Sequence, residues 1–340
     1  MPQYEFFRTP GYPLFLAFFH VVWGIPLNGI LFLQIALTML AAFITYLAAI
    51  RIDPRLGLLS AAIILFDPTI TVFSLLLLTE SLFLLFLSLF LWSFIIYLQR
   101  KRMKWIVLAA VLVVMATFTR PINFYLGGAV GILIFYAQLR SKDFKKAFVH
   151  TISFCVIVYS CLYAWQYRNY IRSGYNTFSS VTLTVTNANL GDGLYKSYTR
   201  NHDTPTQVLT PITYYINAGV SSFLSLMTRP SSFKYFKSYA LKVVGKVLEY
   251  PWIAFWILGL ITGLTQIRGN IFLQGIVLVI LYFIVVSVMG AGFGTSARFR
   301  VPMMPFIAIL SSWGWLKISR KLLTSFVVTS LLHRRGVFSS

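Results

Sequence analysis

The stretch LLSAAIILFDPTITVFSLLLLTESLFLLF, residues 58–86, decides what kind of protein this is. Its apolar residues come in long runs, with neither the alternation of a half-buried strand nor the narrow stripe of a soluble helix. A hydrocarbon core of ~30 Å needs about 20 helical residues per crossing, so the run is long enough to enter a membrane and return. Asp67-Pro68 nevertheless interrupts it, and Glu80 follows within the same run. Asp before Pro is a good N-cap and first-turn pair, which predicts a helix that breaks and restarts there. Broken helices at membrane depth persist where protein or a water-filled cavity satisfies the freed backbone groups, and carboxylates in such places mark sites. A plain outer turn, with Asp67 capping and Glu80 at headgroup level, fits the same residues.

The rest of the chain has the same character. Of its 340 residues 58% are hydrophobic and 11% charged, the composition of an all-α polytopic membrane protein. Apolar runs between charged breaks predict about nine crossings, at 28–50, 56–76, 77–98, 105–119, 122–139, 147–167, 251–267, 271–289 and 301–316. Residues 1–10 lack the basic and apolar segments of a cleavable signal peptide.

The formal charge of +21 could suggest nucleic acid, but the cations sit at membrane edges. Of the 29 basic residues, 16 fall in the clusters around Arg51, Arg100, Arg140, Arg268 and Lys317, all on one side of this topology. The short loops opposite hold Arg8, Arg120, Arg298 and Arg300. The positive-inside rule makes the richer side cytoplasmic and the N-terminus external.

The expected organisation is then an outer-loop end with an interfacial helix over 1–27, transmembrane helices over 28–167, an extracytoplasmic segment over 168–250, transmembrane helices over 251–316, and a basic cytoplasmic tail over 317–340. Within the outer segment, KYFKSYALKVVGKVLEY (234–250) reads as an amphipathic helix on the outer interface or as a packed surface helix. Leu322–Leu332 is too short to span and reads as an interfacial tail.

Candidate chemistry gathers on the outer side. TRP (119–121) and ARFRVPMMP (297–305) each set an arginine where a helix meets the interface, followed by a proline suited to a first turn. Arg298 and Arg300 are two apart, so an extended segment entering the last crossing would align them. Aligned guanidiniums suit a phosphate; snorkelling to lipid headgroups uses the same residues. Cys155 and Cys161 share one apolar run and read as buried small hydrophobes, and the four histidines lack ligand spacing, so no metal or other cofactor is expected. GAGFG (290–294) lacks the strand and helix context of a nucleotide loop.

Taken together, RTPGYPLFLAFF (8–19), LLLLTESLFLLFL (75–87), ATFTRPINF (116–124), WQYRNYIRSG (165–174) and ARFRVPMMPFIAIL (297–310) resemble the GT-C glycosyltransferases, in particular the protein O-mannosyltransferase and aminoarabinose-transferase-like group of bacterial membrane enzymes. The resemblance implies transfer of a sugar from a polyprenyl-phosphate donor to a lipid, glycan or protein acceptor, on the extracytoplasmic face of a bacterial cytoplasmic membrane, without nucleic acid. It implies donor-phosphate roles for Arg298 and Arg300, and a cavity edged by Arg8, Tyr12, Asp67, Arg120, Arg168 and Asn169. It also implies an acidic residue, commonly Asp, in an outer loop before the RTPGYP element.

That element begins at Arg8, so the preceding helix and most of its loop are missing from the sequence. A start assigned too late, a truncation that has lost activity, and a relative using Glu80 as its acid are the three readings; Glu5 is the other nearby carboxylate. A transporter of lipid-linked glycans, or a noncatalytic partner of another transferase, would also use outer arginines, although no repeated half suggests a transporter.

Overall fold

The computed structural model describes residues 8–174, 176–179, 211–230, 238–290 and 297–336; within these, no strand occurs. Its helices are α1 Gly11–Ala17, α2 Leu27–Ile50, α3 Gly57–Leu65, α4 Pro68–Ser74, α5 Glu80–Arg100, α6 Met103–Thr119, α7 Leu126–Leu139, α8 Phe144–Ser173, α9 Pro211–Thr228, α10 Tyr239–Leu264, α11 Ile271–Gly290 and α12 Met304–Gly336. Seven helices among the described residues are long and apolar enough to cross a membrane, and the bent pair α3–α4 makes an eighth. Helix α6, also apolar, is shorter at 17 residues. Outward-facing side chains such as Phe32 (73% exposed) and Ile132 (72% exposed) are apolar, as a lipid-facing surface requires.

The break read at Asp67-Pro68 is present. Asp67 Oδ1 accepts the Ile70 amide at 3.0 Å, Pro68 occupies the first turn, and α3 and α4 meet at 58°. The expected crossings at 56–76 and 77–98 are therefore a broken pair followed by a turn over 75–79, with Glu80 as the first residue of α5.

Lipid is as apolar as the helices, so close backbone approach and internal hydrogen bonds hold this bundle together. Between α2 and α5, Thr38 donates to Ser81 at 3.1 Å and Thr45 to Ser88 at 3.3 Å, across a seam that also buries Ala41, Ala48 and Ala49. Between α10 and α12, Gly259 and Gly263 form a GxxxG face against Ser311 and Gly314. A Cβ on Gly314 would lie 1.9 Å from the Gly259 carbonyl oxygen, and one on Gly263 would lie 2.2 Å from that of Leu310. No side chain larger than hydrogen fits either position.

Two boundaries differ from the sequence reading. The amphipathic stretch before residue 250 and the crossing expected from 251 form one continuous helix, α10, with Pro251 inside it. Its apolar residues Val243, Val244 and Val247 face outward, while Gly245 and Glu249 turn into the bundle. The tail expected after 316 continues α12 without a break to Gly336, because no proline or glycine pair interrupts it. Residues 234–237 and 291–296 of the stretches discussed above lie outside the described residues.

The two ends of the bundle differ. At one, Gln99 donates to the Arg51 carbonyl at 2.6 Å, Lys101 to that of Ala137 at 3.4 Å, and Arg320 pairs with Asp53 at 3.7 Å; this is the end of the basic loops. The other end collects the α3–α4 break, the start of α5, the end of α6 and the 3-10 turn Ala297–Met303 that leads into α12.

Gly263→Val and Gly314→Val are each expected to destabilise the folded protein in detergent by about 1–3 kcal/mol through overpacking. Gly219→Ala, whose new methyl would meet only Val288 at 3.8 Å, is expected to melt as the parent does.

Candidate functional site

The site begins with Glu80. As the first residue of α5 its carboxylate lies at the positive end of a 21-residue helix. The turn that delivers it is tied down by Gln34 of α2, which donates to the carbonyls of Leu76 at 2.7 Å and Leu78 at 3.4 Å. Gln34 in turn accepts from the Tyr12 hydroxyl at 2.9 Å. Burial pushes the Tyr12 phenol up to about 12, with the charge of Glu80 as a second cause, so Tyr12 stays a donor at neutral pH.

Tyr12 is itself held against α6. Thr9 donates to the Thr119 carbonyl at 3.2 Å, and a Cβ on Gly11 would lie 2.7 Å from the Phe118 carbonyl oxygen. Only glycine permits that approach. The Thr-Pro-Gly-Tyr element thus clasps the end of α6 to α2 and, through Gln34, to the turn before Glu80.

Two arginines converge on Glu80, which is 1% exposed. Arg120 caps the end of α6 in extended backbone and donates from Nη1 to Oε1 at 3.1 Å, its guanidinium 5.7 Å from the ring centres of Phe83 and Phe299. Arg298 donates from Nε to the same oxygen and lies 6.0 Å from the ring of Phe73. The side chain of Arg120 is 11% exposed and that of Arg298 is 31% exposed, so the cluster opens on the Arg298 side. One carboxylate against two guanidiniums leaves a formal surplus of one positive charge there.

Arg300 goes elsewhere. The segment Ala297–Met303 is a 3-10 helix, not the extended strand expected from the sequence, and three residues per turn send side chains two apart in divergent directions. Arg300 is fully buried. Its Nη2 donates to Thr69 at 3.2 Å and to Glu249 at 3.4 Å, its Nη1 to the carbonyls of Leu226 and Met227 at 3.3 and 3.1 Å, and it lies 5.3 Å over Trp256. Thr69 completes the knot by donating to Glu249. The pairing of Arg298 with Arg300 on one phosphate is thereby corrected: every Arg300 contact named here is internal. Asp67 is buried beside this knot, one oxygen capping α4 and Oδ2 without a partner among the described residues.

The remaining candidates stand apart from Glu80. Arg168 bonds to Asn169 at 3.0 Å and stacks 4.7 Å over Trp165, while buried Asn169 donates to the carbonyls of Thr177 and Phe178. Phe178 stacks on Phe118, so this pair ties the chain leaving α8 to the end of α6. Arg8 is exposed. Glu5 lies outside the described residues, as do Asp192 and Asp203. No group of three or more His, Cys, Asp or Glu among the described residues could hold a metal ion.

Gln34, Thr69 and Glu249 carry the arrangement and were not singled out by the sequence reading as site residues. Glu249 had a signal: it shares the inward face of α10 with Ile253 and Trp256, and a lone acid on the buried face of an apolar helix demands a cation.

Residues 8–165 match the family described as dolichyl-phosphate-mannose-protein mannosyltransferase. The match contains Glu80 and Arg120 and stops before Arg298. No curated protein matches the chain. Among solved structures, the archaeal oligosaccharyltransferase AglB from Archaeoglobus fulgidus, in complex with an inhibitory peptide and a dolichol-phosphate, superposes with a TM-score of 0.54 at 12% identity, over 95% of this chain and 44% of that one. The chain therefore spans less than half the length of that enzyme. The family match and the shared fold assign the chain the GT-C architecture of membrane glycosyltransferases.

Removing either member of a buried ion pair strands the other, at a cost of about 3–5 kcal/mol. Arg300→Met and Glu249→Met are each expected to lower stability by that order, and the double variant by less than their sum. Additive losses in detergent melting would show that the pair is not coupled.

Proposed function

We propose that this chain of GT-C architecture transfers a sugar from a polyprenyl-phosphate donor to a lipid, glycan or protein acceptor on the extracytoplasmic face of a bacterial membrane. The observation that carries the proposal is the guanidinium pair of Arg120 and Arg298 on Glu80, partly open and with surplus positive charge, at the end of the bundle opposite the basic loops.

In the proposed reaction an acceptor hydroxyl oxygen bonds to the anomeric carbon as the bond from that carbon to the phosphate oxygen breaks. The leaving polyprenyl phosphate gains negative charge, and the acceptor proton passes to a base. Charge-assisted bonds from preorganised guanidiniums act most where charge develops, which assigns Arg298 and Arg120 to the leaving phosphate. Glu80 is a positioning residue. Its Oε1 holds both arginines and it has almost no exposed surface, so it orients the guanidiniums and is a poor proton acceptor for a substrate.

The family resemblance puts the base on an acidic outer loop ahead of the Arg-Thr-Pro-Gly-Tyr-Pro element, where Glu5 stands in this chain. Arg300 acts at one remove, because the 3-10 turn it anchors also carries Arg298. Membrane lipid is the solvent for the donor tail.

The test is transfer from a panel of radiolabelled polyprenyl-phosphate sugars in proteoliposomes. Arg298→Ala is expected to reduce turnover on the order of 10²–10³-fold, as loss of one charge-stabilising donor does elsewhere. Arg298→Lys, a point charge without the planar fork, is expected to recover part of that loss. Movement of the labelled lipid across the bilayer without sugar transfer would replace this reading with a transporter.

A further inference from the structure

The basic end of the bundle holds a feature that sugar transfer does not use. A cleft of about 270 Å³ opens between α3, α10 and α12, where Leu59, Phe255, Trp315 and Leu316 supply apolar lining and Arg55 and Ser319 are exposed polar residues. Its aromatic wall is fixed. The rings of Phe255 and Trp315 stack at 4.7 Å, and Trp315 Nε1 donates to the Phe255 carbonyl at 3.1 Å.

The charge at this cleft is unbalanced. The Arg55 amide donates to Asp53 Oδ1 at 2.9 Å, but its guanidinium has no hydrogen bond or ion pair among the described residues. Asp53 is already paired with Arg320 at 3.7 Å, and Lys317 at the same end donates to the Thr265 hydroxyl at 3.1 Å. Three cations therefore face one carboxylate. The neighbouring surface is built for hydrocarbon: Leu58 is 78% exposed, Leu258 50% and Leu322 63%.

We propose that this cleft binds an anionic phospholipid, with its phosphate on Arg55 and an acyl chain along Leu59, Phe255, Trp315 and Leu316. A soluble phosphate would leave those four walls without a partner, and a zwitterionic headgroup would leave the surplus positive charge uncompensated. Basic pockets between helices at the cytoplasmic boundary are suited to such headgroups. This inference does not depend on the transfer reaction proposed above.

The test is native mass spectrometry of the full chain, comparing retention of phosphatidylglycerol and phosphatidylcholine. Phosphatidylglycerol is expected to bind better, and Arg55→Ala to weaken it about fivefold, the factor that one basic residue contributes near an anionic surface. Ser319→Trp, which fills the cleft from an exposed position, is expected to weaken it comparably, whereas Arg100→Ala at the same end leaves it unchanged. Millimolar glycerol 3-phosphate is expected not to displace the lipid. Equal retention of the two lipids, insensitivity to both cleft variants, or displacement by glycerol 3-phosphate would each overturn the proposal; the last would make this a site for free phosphate.

Discussion

The 3-10 turn over Ala297–Met303 sets two demands against each other, and much of the site follows from how they are met. Ionised side chains at membrane depth need partners, and a helix of three residues per turn forbids Arg298 and Arg300 from sharing one. The chain answers with two acids from distant positions, Glu80 at the head of α5 and Glu249 on the inward face of α10. Each acid is buried, so each arginine holds its own helix in place. The turn thereby joins α4, α5, α9 and α10 at one end of the bundle, and only its Arg298 side is left partly open.

The scaffold behind that turn is stiff for a related reason. Without a hydrophobic drive between helices, contact must come from backbone approach and internal hydrogen bonds. The Thr-Ser pairs between α2 and α5 fix the helix that carries Glu80, and the glycine face between α10 and α12 fixes those that carry Glu249 and Arg300. The Thr-Pro-Gly-Tyr clasp then joins the end of α6, where Arg120 sits, to the turn before Glu80. Glu80 and its two arginines come from three separate elements held to one another by contacts that leave no spare room.

Residue spacing made the local events legible. Asp67-Pro68 announced its break because capping and proline geometry act within one turn, and apolar run lengths announced the helices because the bilayer fixes them. Arg120 and Glu80 stood out as charges at the ends of apolar segments. The pairing of those charges was not legible, since Arg298 and Glu80 are 218 residues apart and nothing local relates them. The divergence of Arg298 from Arg300 was hidden too: ARFRVPM could be extended or tightly coiled, and Pro302 permits either entry. The fusion of the 234–250 stretch with the following crossing was concealed by Pro251, which ordinarily argues against a continuous helix.

The bare contact between α10 and α12 has a mechanical meaning. Side chains between helices act as compressible spacers, letting one slide or tilt while its neighbour stays still. Where the Gly314 position lies against the Gly259 carbonyl there is no such spacer, and the two helices form one beam. Glu249 stands at one end of that beam, and Phe255 and Trp315 line a cleft farther along it. A load applied to the Arg298 turn is therefore borne by the same rigid member whose far end meets the opposite leaflet.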